Sequence, residues 1–163
     1  MAPTTTAPIK NGIVRRLRSS TDLRTAIKGG IHERLAPKRV RYPFIVFSEA
    51  AAPMEYTWGS EADGGTREIH ALYDISVFSL HKVEAQNLDS LIDGLFSGPS
   101  ADLDLDEVVV GQHVILCRRT ANMPTGPDRD DEGRRIVQFG GQYEIWTSQP
   151  MIEPTPPPPP PGP

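Results

Sequence analysis

The chain has one cysteine, Cys117, among 163 residues. A lone cysteine excludes an intrachain disulfide and any cysteine-based metal cluster. It falls within a Val/Ile-rich stretch, where it reads as a small buried hydrophobe. Aromatic residues make up only 7% of the chain and hydrophobic residues 37%. That modest supply of core fits a subunit that completes its burial against copies of itself. No run of about 18 apolar residues occurs, so no membrane-spanning helix is expected. Residues 1–7 are polar and uncharged, unlike a secretory leader, and a soluble, reducing compartment is expected.

Catalytic patterns are also scarce. His32, His70, His81 and His113 are scattered, without the His-x-x-x-His or His-Glu-x-x-His spacing that holds zinc on a helix. His70 and His113 read as structural histidines within strands. The acidic run Asp102, Asp104, Asp106 and Glu107 lacks the glycine turn of a calcium loop and reads as a solvated turn. Gly-x-Ser-x-Gly, the phosphate-binding Gly-x-x-x-x-Gly-Lys motif and dinucleotide fingerprints are missing. No catalytic, cofactor-binding or metal-ligating residue is assigned, and no enzyme activity is expected.

What the chain does have is a clear succession of hydrophobic periods. Val83, Leu88, Leu91, Ile92, Leu95 and Phe96 recur at three- and four-residue steps, which predicts an amphipathic helix over residues 82–98, stopped by Gly98-Pro99. Directly upstream, residues 68–80 change to a period of two. Ile69, Ala71, Tyr73, Ile75 and Val77 fall on one face, with His70, Asp74 and Ser76 on the other, the pattern of a half-buried strand.

Downstream, residues 107–120 and 134–147 read as strands, the second with Val137, Phe139, Tyr143 and Ile145 on one side. Between them, residues 123–133 carry Pro124, Gly126, Pro127, Gly133 and a cluster of charges, which predicts a β-hairpin with a long exposed loop. A loop of that length is a candidate contact element.

Near the start, Ile9, Ile13 and Leu17 share a helical face, and Ser20 or Thr21 can cap a second helix bearing Leu23 and Ile27 before Gly29-Gly30 ends it. Residues 43–48 form a short continuous apolar run, read as a strand buried on both faces, and residues 55–58 form a weaker strand. The expected fold is α+β: a mainly antiparallel sheet with helices on one face and a long hairpin near the C-terminus. Residues 9–149 are expected to form one domain, after a flexible start (1–8) and before a proline-rich tail (150–163).

Charge is divided unevenly. Residues 1–50 hold 10 Lys/Arg against 3 Asp/Glu, and residues 51–163 hold 7 against 18, so the two parts carry +7 and −11 and sum to the net −4. The basic part can meet nucleic acid, or the acidic surface of a neighbouring copy in a head-to-tail ring. Against nucleic acid, Arg34, Lys38, Arg39 and Arg41 lack interleaved aromatics, and no helix-turn-helix or zinc-finger spacing appears. The end, Pro154-Thr-Pro-Pro-Pro-Pro-Pro-Pro-Gly-Pro163, favours polyproline II and reads as a spacer or a ligand.

The helical opening, the run at 43–48, the strand Tyr73-Asp-Ile-Ser-Val-Phe-Ser79 leading into Glu84-Ala-Gln-Asn-Leu-Asp-Ser-Leu-Ile-Asp93, and the closing strand pair together resemble the tail-completion, or tail-terminator, proteins of long-tailed bacteriophages, minor tail proteins of siphophage type. The resemblance covers about residues 9–148. It implies a homo-oligomeric ring, typically a hexamer, at the head–tail junction of a virion assembled in the host cytoplasm. Such a ring caps the tail tube, ends its polymerisation and presents a surface to the head–tail connector protein, while DNA passes through the lumen without specific recognition. An adaptor ring on the portal side is the alternative. On this reading Arg15, Arg16, Arg18, Arg39 and Arg41 are candidates for inter-subunit or connector ion pairs. Asp128, Arg129, Asp130 and Asp131 are candidates for contact with the tail-tube protein or the connector.

Overall fold

The computed structural model describes residues 7–59, 64–97, 113–123 and 127–151. The elements run α1 (Ala7–Ser19), α2 (Thr21–Ala26), β1 (Ile31–Glu33), β2 (Phe44–Trp58), β3 (Thr66–Ser79), α3 (Lys82–Ser97), β4 (His113–Asn122), β5 (Pro127–Arg129) and β6 (Arg135–Pro150). The expected α+β class holds. The strands form one sheet in the order β1-β2-β3-β6-β4, with β5 also paired to β6. Every pairing is antiparallel except that of β1 with β2, which is parallel. The mostly antiparallel expectation therefore holds with one parallel edge, made by a three-residue strand too short to carry a readable period.

β3 and β6 form the centre. Their register sets Tyr73 opposite Tyr143, Ala71 opposite Ile145 and Val77 opposite Phe139. The residues predicted for the buried face of β3 are all buried, and Tyr143 and Ile145 are fully buried on β6. Against this face pack Ile9, Ile13 and Leu17 of α1, Leu23 of α2, and Ala85, Leu88, Ile92 and Phe96 of α3, in one hydrophobic cluster. Apart from Ala85, burying each of these apolar side chains contributes about 1.5–3 kcal/mol against the exposed state. On α3 the stripe is rotated from the expected one. Ala85 takes a core position, while Val83 and Leu91 face solvent, 69% and 39% exposed. Alanine carries little weight in a hydrophobic period, and the spacing 85, 88, 92, 96 identifies the face only once it is included.

Three expectations change on the structure. Residues 43–48 and 55–58 belong to one 15-residue strand, β2. Register shifts between Glu49 and Ala51 and between Ala51 and Met54 let it continue through Pro53. There β1 no longer covers its outer side, so the missing proline N–H breaks no ladder bond. Next, the stretch 123–133 is not wholly loop: Pro127, Asp128 and Arg129 pair with Val137, Ile136 and Arg135. Val137 also pairs with Ser79 of β3, so β5 lies on the same side of β6 as β4. Finally, α2 stops at Ala26, where Ile27 caps it by donating its N–H to the Leu23 oxygen at 2.8 Å, before the glycine pair is reached. The predicted Ser20 cap is present, accepting from Leu23 N at 3.3 Å.

His113 is exposed at the start of β4 rather than packed as a structural histidine, because the strand lies at the sheet edge. Cys117 is buried on β4, and burial pushes its thiol up to about 12, with Arg16 pulling the other way. It is the small hydrophobe expected of it. The Gly98-Pro99 stop, the acidic run 102–107, the first part of the strand expected at 107–120, and the proline-rich tail beyond Met151 lie outside the described residues.

Candidate interaction surfaces

The nine charged residues singled out from the sequence fall into separate places. On α1, Arg18 is exposed and Arg15 is half-buried. Arg16 reaches across to α3, where its Nε donates to the Leu95 carbonyl at 3.3 Å. The guanidinium of Arg16 therefore helps tie two helices together, a role that the helical period alone did not reveal.

A second group gathers at one end of the sheet. The connection from β1 to β2 brings Lys38 and Arg39 to one side of a cleft of about 330 Å³, and the β5–β6 turn brings Asp130, Asp131 and Glu132 to the other. Tyr42 and Phe44 line it as well. Arg39 holds a left-handed backbone, φ 61°, costly for a residue with a Cβ. The structure thus joins Arg39 with Asp130 and Asp131, some ninety residues apart in sequence. Arg41 is exposed nearby and does not line the cleft.

Asp130 organises the turn. Its carboxylate accepts from Glu132 N at 3.0 Å, Arg134 N at 2.8 Å, Arg134 Nε at 2.7 Å and the Tyr42 hydroxyl at 3.3 Å. Desolvation opposes its ionisation, and the hydrogen bonds and charge of Arg134 outweigh that, holding Asp130 below the usual carboxylate range. The same contact raises Arg134, and desolvation together with Asp130 raises the Tyr42 phenol. Gly133 closes the turn at φ 76° and donates to the Asp130 carbonyl at 2.8 Å, a backbone region that glycine enters without steric cost. Asp128 and Arg129 are exposed on β5; Asp128 accepts from Arg129 N at 2.7 Å, and Arg129 Nη1 donates to the Gly133 carbonyl at 3.0 Å. Asp130 is thereby committed to holding the turn, and Asp131 projects from its tip as an exposed charge.

The surface that sequence reasoning missed is the sheet face opposite the helices. After the two register shifts in β2, Met54 pairs with His70 and Trp58 with Thr66, so Met54, Tyr56 and Trp58 share a face with His70 of β3 and Trp146 of β6. Tyr56 stacks on Trp146 with centroids 6.3 Å apart and planes 11° off parallel, and His70 lies 4.6 Å from Trp146. Beside them Glu144 receives Arg118 Nε at 2.8 Å and Trp146 Nε1 at 3.1 Å. His70 Nε2 stands 2.9 Å from Glu144 Oε1, within ion-pair distance but outside hydrogen-bond geometry. Desolvation works to raise the Glu144 pKa; the hydrogen bonds from Trp146 and Arg118 and the proximity of Arg118 and His70 prevail and lower it. Further along, Gln142 donates to Asp74 at 3.2 Å and Gln138 to Ser76 at 3.1 Å. The face is therefore polar at its middle and aromatic at both ends, with Phe44 stacked on Phe78 at the end away from Trp58. The two register shifts cancel, so Met54, Tyr56 and Trp58 lie where alternation from Ile45 and Phe47 places them; reading residues 43–48 and 55–58 as separate strands concealed that continuity.

One charged group crosses to the covered side. Arg119 of β4 makes a two-pronged contact with Asp89 of α3 at 3.2 and 3.1 Å and donates to the Gly140 carbonyl at 2.6 Å. Its guanidinium also stands 5.8 Å from the Tyr143 ring. Desolvation lowers its pKa, and the bonds and charges of Asp89, Tyr143 and Asp93 more than restore it. A Cβ on Gly141 would collide with this guanidinium, so the glycine makes room for it. Among the described residues no three of His, Cys, Asp or Glu gather as a metal site, and no helix is long and apolar enough to cross a membrane.

No protein-family profile matches the sequence, and neither does any curated protein. A solved structure does share the fold: a chain from the virion of a native gene transfer agent particle superposes with a TM-score of 0.54 at 9% identity. The match covers 88% of this chain and 99% of that one.

Proposed function

We propose that the chain is a structural, non-catalytic subunit of a phage-like particle that forms a ring at the head–tail junction. In this role it caps the tail tube, ends its polymerisation and offers a docking surface to the head connector. The observation that carries the reading is the fold shared with a gene transfer agent virion chain over nearly the whole length of both. The resemblance of the element order to tail-terminator proteins supplies the finer role and the hexameric count.

The chemistry supports a head-to-tail ring. Such a ring needs two different surfaces that fit each other, since each copy meets its neighbours through unlike faces. A basic first part and an acidic remainder provide complementary charge. Arg15 and Arg18 on α1 are the basic contacts proposed for one side, and the cleft bearing Arg39 and Asp131 is the contact proposed for the tube or connector. Carboxylates along the lumen would repel the phosphates of passing DNA and keep it from sticking.

The test is the mass of the purified chain by light scattering, alone and with its tail-tube protein, followed by negative-stain imaging. A ring, alone or at tube ends whose length is then constant, supports the proposal. A monomer that leaves tube growth unchanged overturns it. Within a ring-forming chain, Arg15→Glu combined with Arg18→Glu is expected to reduce the assembled mass, whereas an unchanged mass removes α1 from the interface.

A further inference from the structure

The run of six prolines at 156–161 has no part in the role proposed above, and the structure shows where it departs. Pro150 pairs with Thr66 of β3, which pairs on its other side with Trp58 of β2. The Met151 N–H then donates to the Gly65 carbonyl at 2.7 Å, fixing the last described residue beside the β2–β3 turn. The tail therefore leaves the sheet at the Trp58 end of the open face.

That end carries an apolar surface of a distinctive kind. Trp58 is 62% exposed, Met54 48% and Tyr56 40%, and Trp146 stacks on Tyr56. Both tryptophans of the chain stand on this one face. Aromatic rings set side by side leave shallow grooves that accept the pyrrolidine rings of a polyproline II helix. The carbonyls of such a helix have no internal donors. The Tyr56 hydroxyl donates to the Met54 thioether at 3.7 Å, a weak acceptor that a proline carbonyl would replace with gain.

We propose that residues 154–163 dock as a polyproline II segment on the Met54, Tyr56, Trp58 and Trp146 strip of the same chain. Ten residues in that form reach about 31 Å, against about 14 Å along β2 from Trp58 to Met54. Only Ile152 and Glu153 separate Met151 from Pro154, a connection as short as the tightest strand reversals, which take about two residues. So short a tether sets the effective concentration in the millimolar range, where even a weak contact is filled. Docking covers the large apolar groups that stand in solvent at this end of the open face.

The test uses the full-length chain. Trp146→Phe leaves Trp58 as the single tryptophan, and a second form of that variant has serine at each of 156–161 with the length unchanged. Acrylamide quenching of Trp58 is expected to rise about twofold when the prolines are replaced, by the same ratio over about a fiftyfold range of protein concentration. Equal quenching with either tail overturns the proposal. A difference that grows with concentration also overturns it, because the tail then docks on another copy. The chain retaining both tryptophans provides a check free of the Trp146 substitution. Displacement of the Trp58 indole N–H resonance between proline and serine tails supports docking, and coincident resonances refute it.

Discussion

The two faces of the sheet are made from alternate residues of the same strands, yet they do different work. One face is filled by Tyr73, Ile75, Val77, Tyr143 and Ile145 and closed by three helices. The other bears Asp74, Gln142, Ser76 and Gln138 at its middle, linked by hydrogen bonds, and Tyr56, Trp58, His70 and Trp146 at one end. The helix-covered face carries the burial that holds the fold. The open face links the polar groups at its middle by hydrogen bonds and leaves them uncovered by helices. An antiparallel sheet tolerates this asymmetry, packing one face on a core while the other stays solvated.

The sharpest way to break that contrast is to truncate one large side chain on each face. Ile75→Ala, at a site with no exposure, is expected to cost about 2–5 kcal/mol through lost burial and a residual cavity. Trp58→Ala, on the open face, is expected to stay within about 1 kcal/mol despite removing a larger group. Urea unfolding of both variants measures the difference. Comparable losses would mean that the open face is part of the stabilising core.

Adjacent arginines on β4 give a smaller version of the same comparison. The Arg119 side chain is 16% exposed and paired with Asp89, while that of Arg118 is 61% exposed and paired with Glu144. Arg119→Ala leaves a half-buried carboxylate without its partner and is expected to cost about 2–4 kcal/mol, below the upper range for fully buried pairs. Arg118→Ala is expected to cost less than about 1 kcal/mol, as solvent-screened pairs do. Equal unfolding midpoints for the two variants would contradict the assignment of Arg119 as the tie between α3 and the sheet edge.

The smallest expected effect is electrostatic and belongs to the open face. Glu144 is held below its ordinary value of 4.5 in the folded chain. A depressed folded-state pKa contributes stability that is fully present above the unfolded value and is lost as pH falls through the folded one. The chain is therefore expected to be more stable than its Glu144→Gln variant above about pH 4.5, with the advantage shrinking in more acidic solution. Urea midpoints measured against pH check this. An advantage that increases on acidification would reverse the assignment.

Much of the fold was legible because its main elements obey a single period. Ile9, Ile13 and Leu17 on α1, the alternation through β3, and the buried side of β6 were all readable in this way. What escaped was whatever breaks the period or lacks one. β1 is too short to show one, the paired bulges in β2 interrupt its alternation between Glu49 and Met54, and Ala85 hides the true stripe of α3. The candidate surfaces were less legible than the fold. Arg39 and Asp131 were individually visible as exposed charges, but their meeting at one cleft depends on chain geometry that spacing does not encode. Arg16 and Asp130 looked equally exposed and are engaged in internal hydrogen bonds. The aromatic strip had one available signal: Trp146 falls on the polar side of the β6 alternation, out of place for a large apolar residue in a strand with a buried face.

The most direct test of the assembly role is to produce particles without this chain and image them by negative stain. The account predicts tail tubes of unregulated length, separated from DNA-filled heads, with normal tails restored when the protein is supplied. Tails of normal length joined to filled heads in its absence would contradict it.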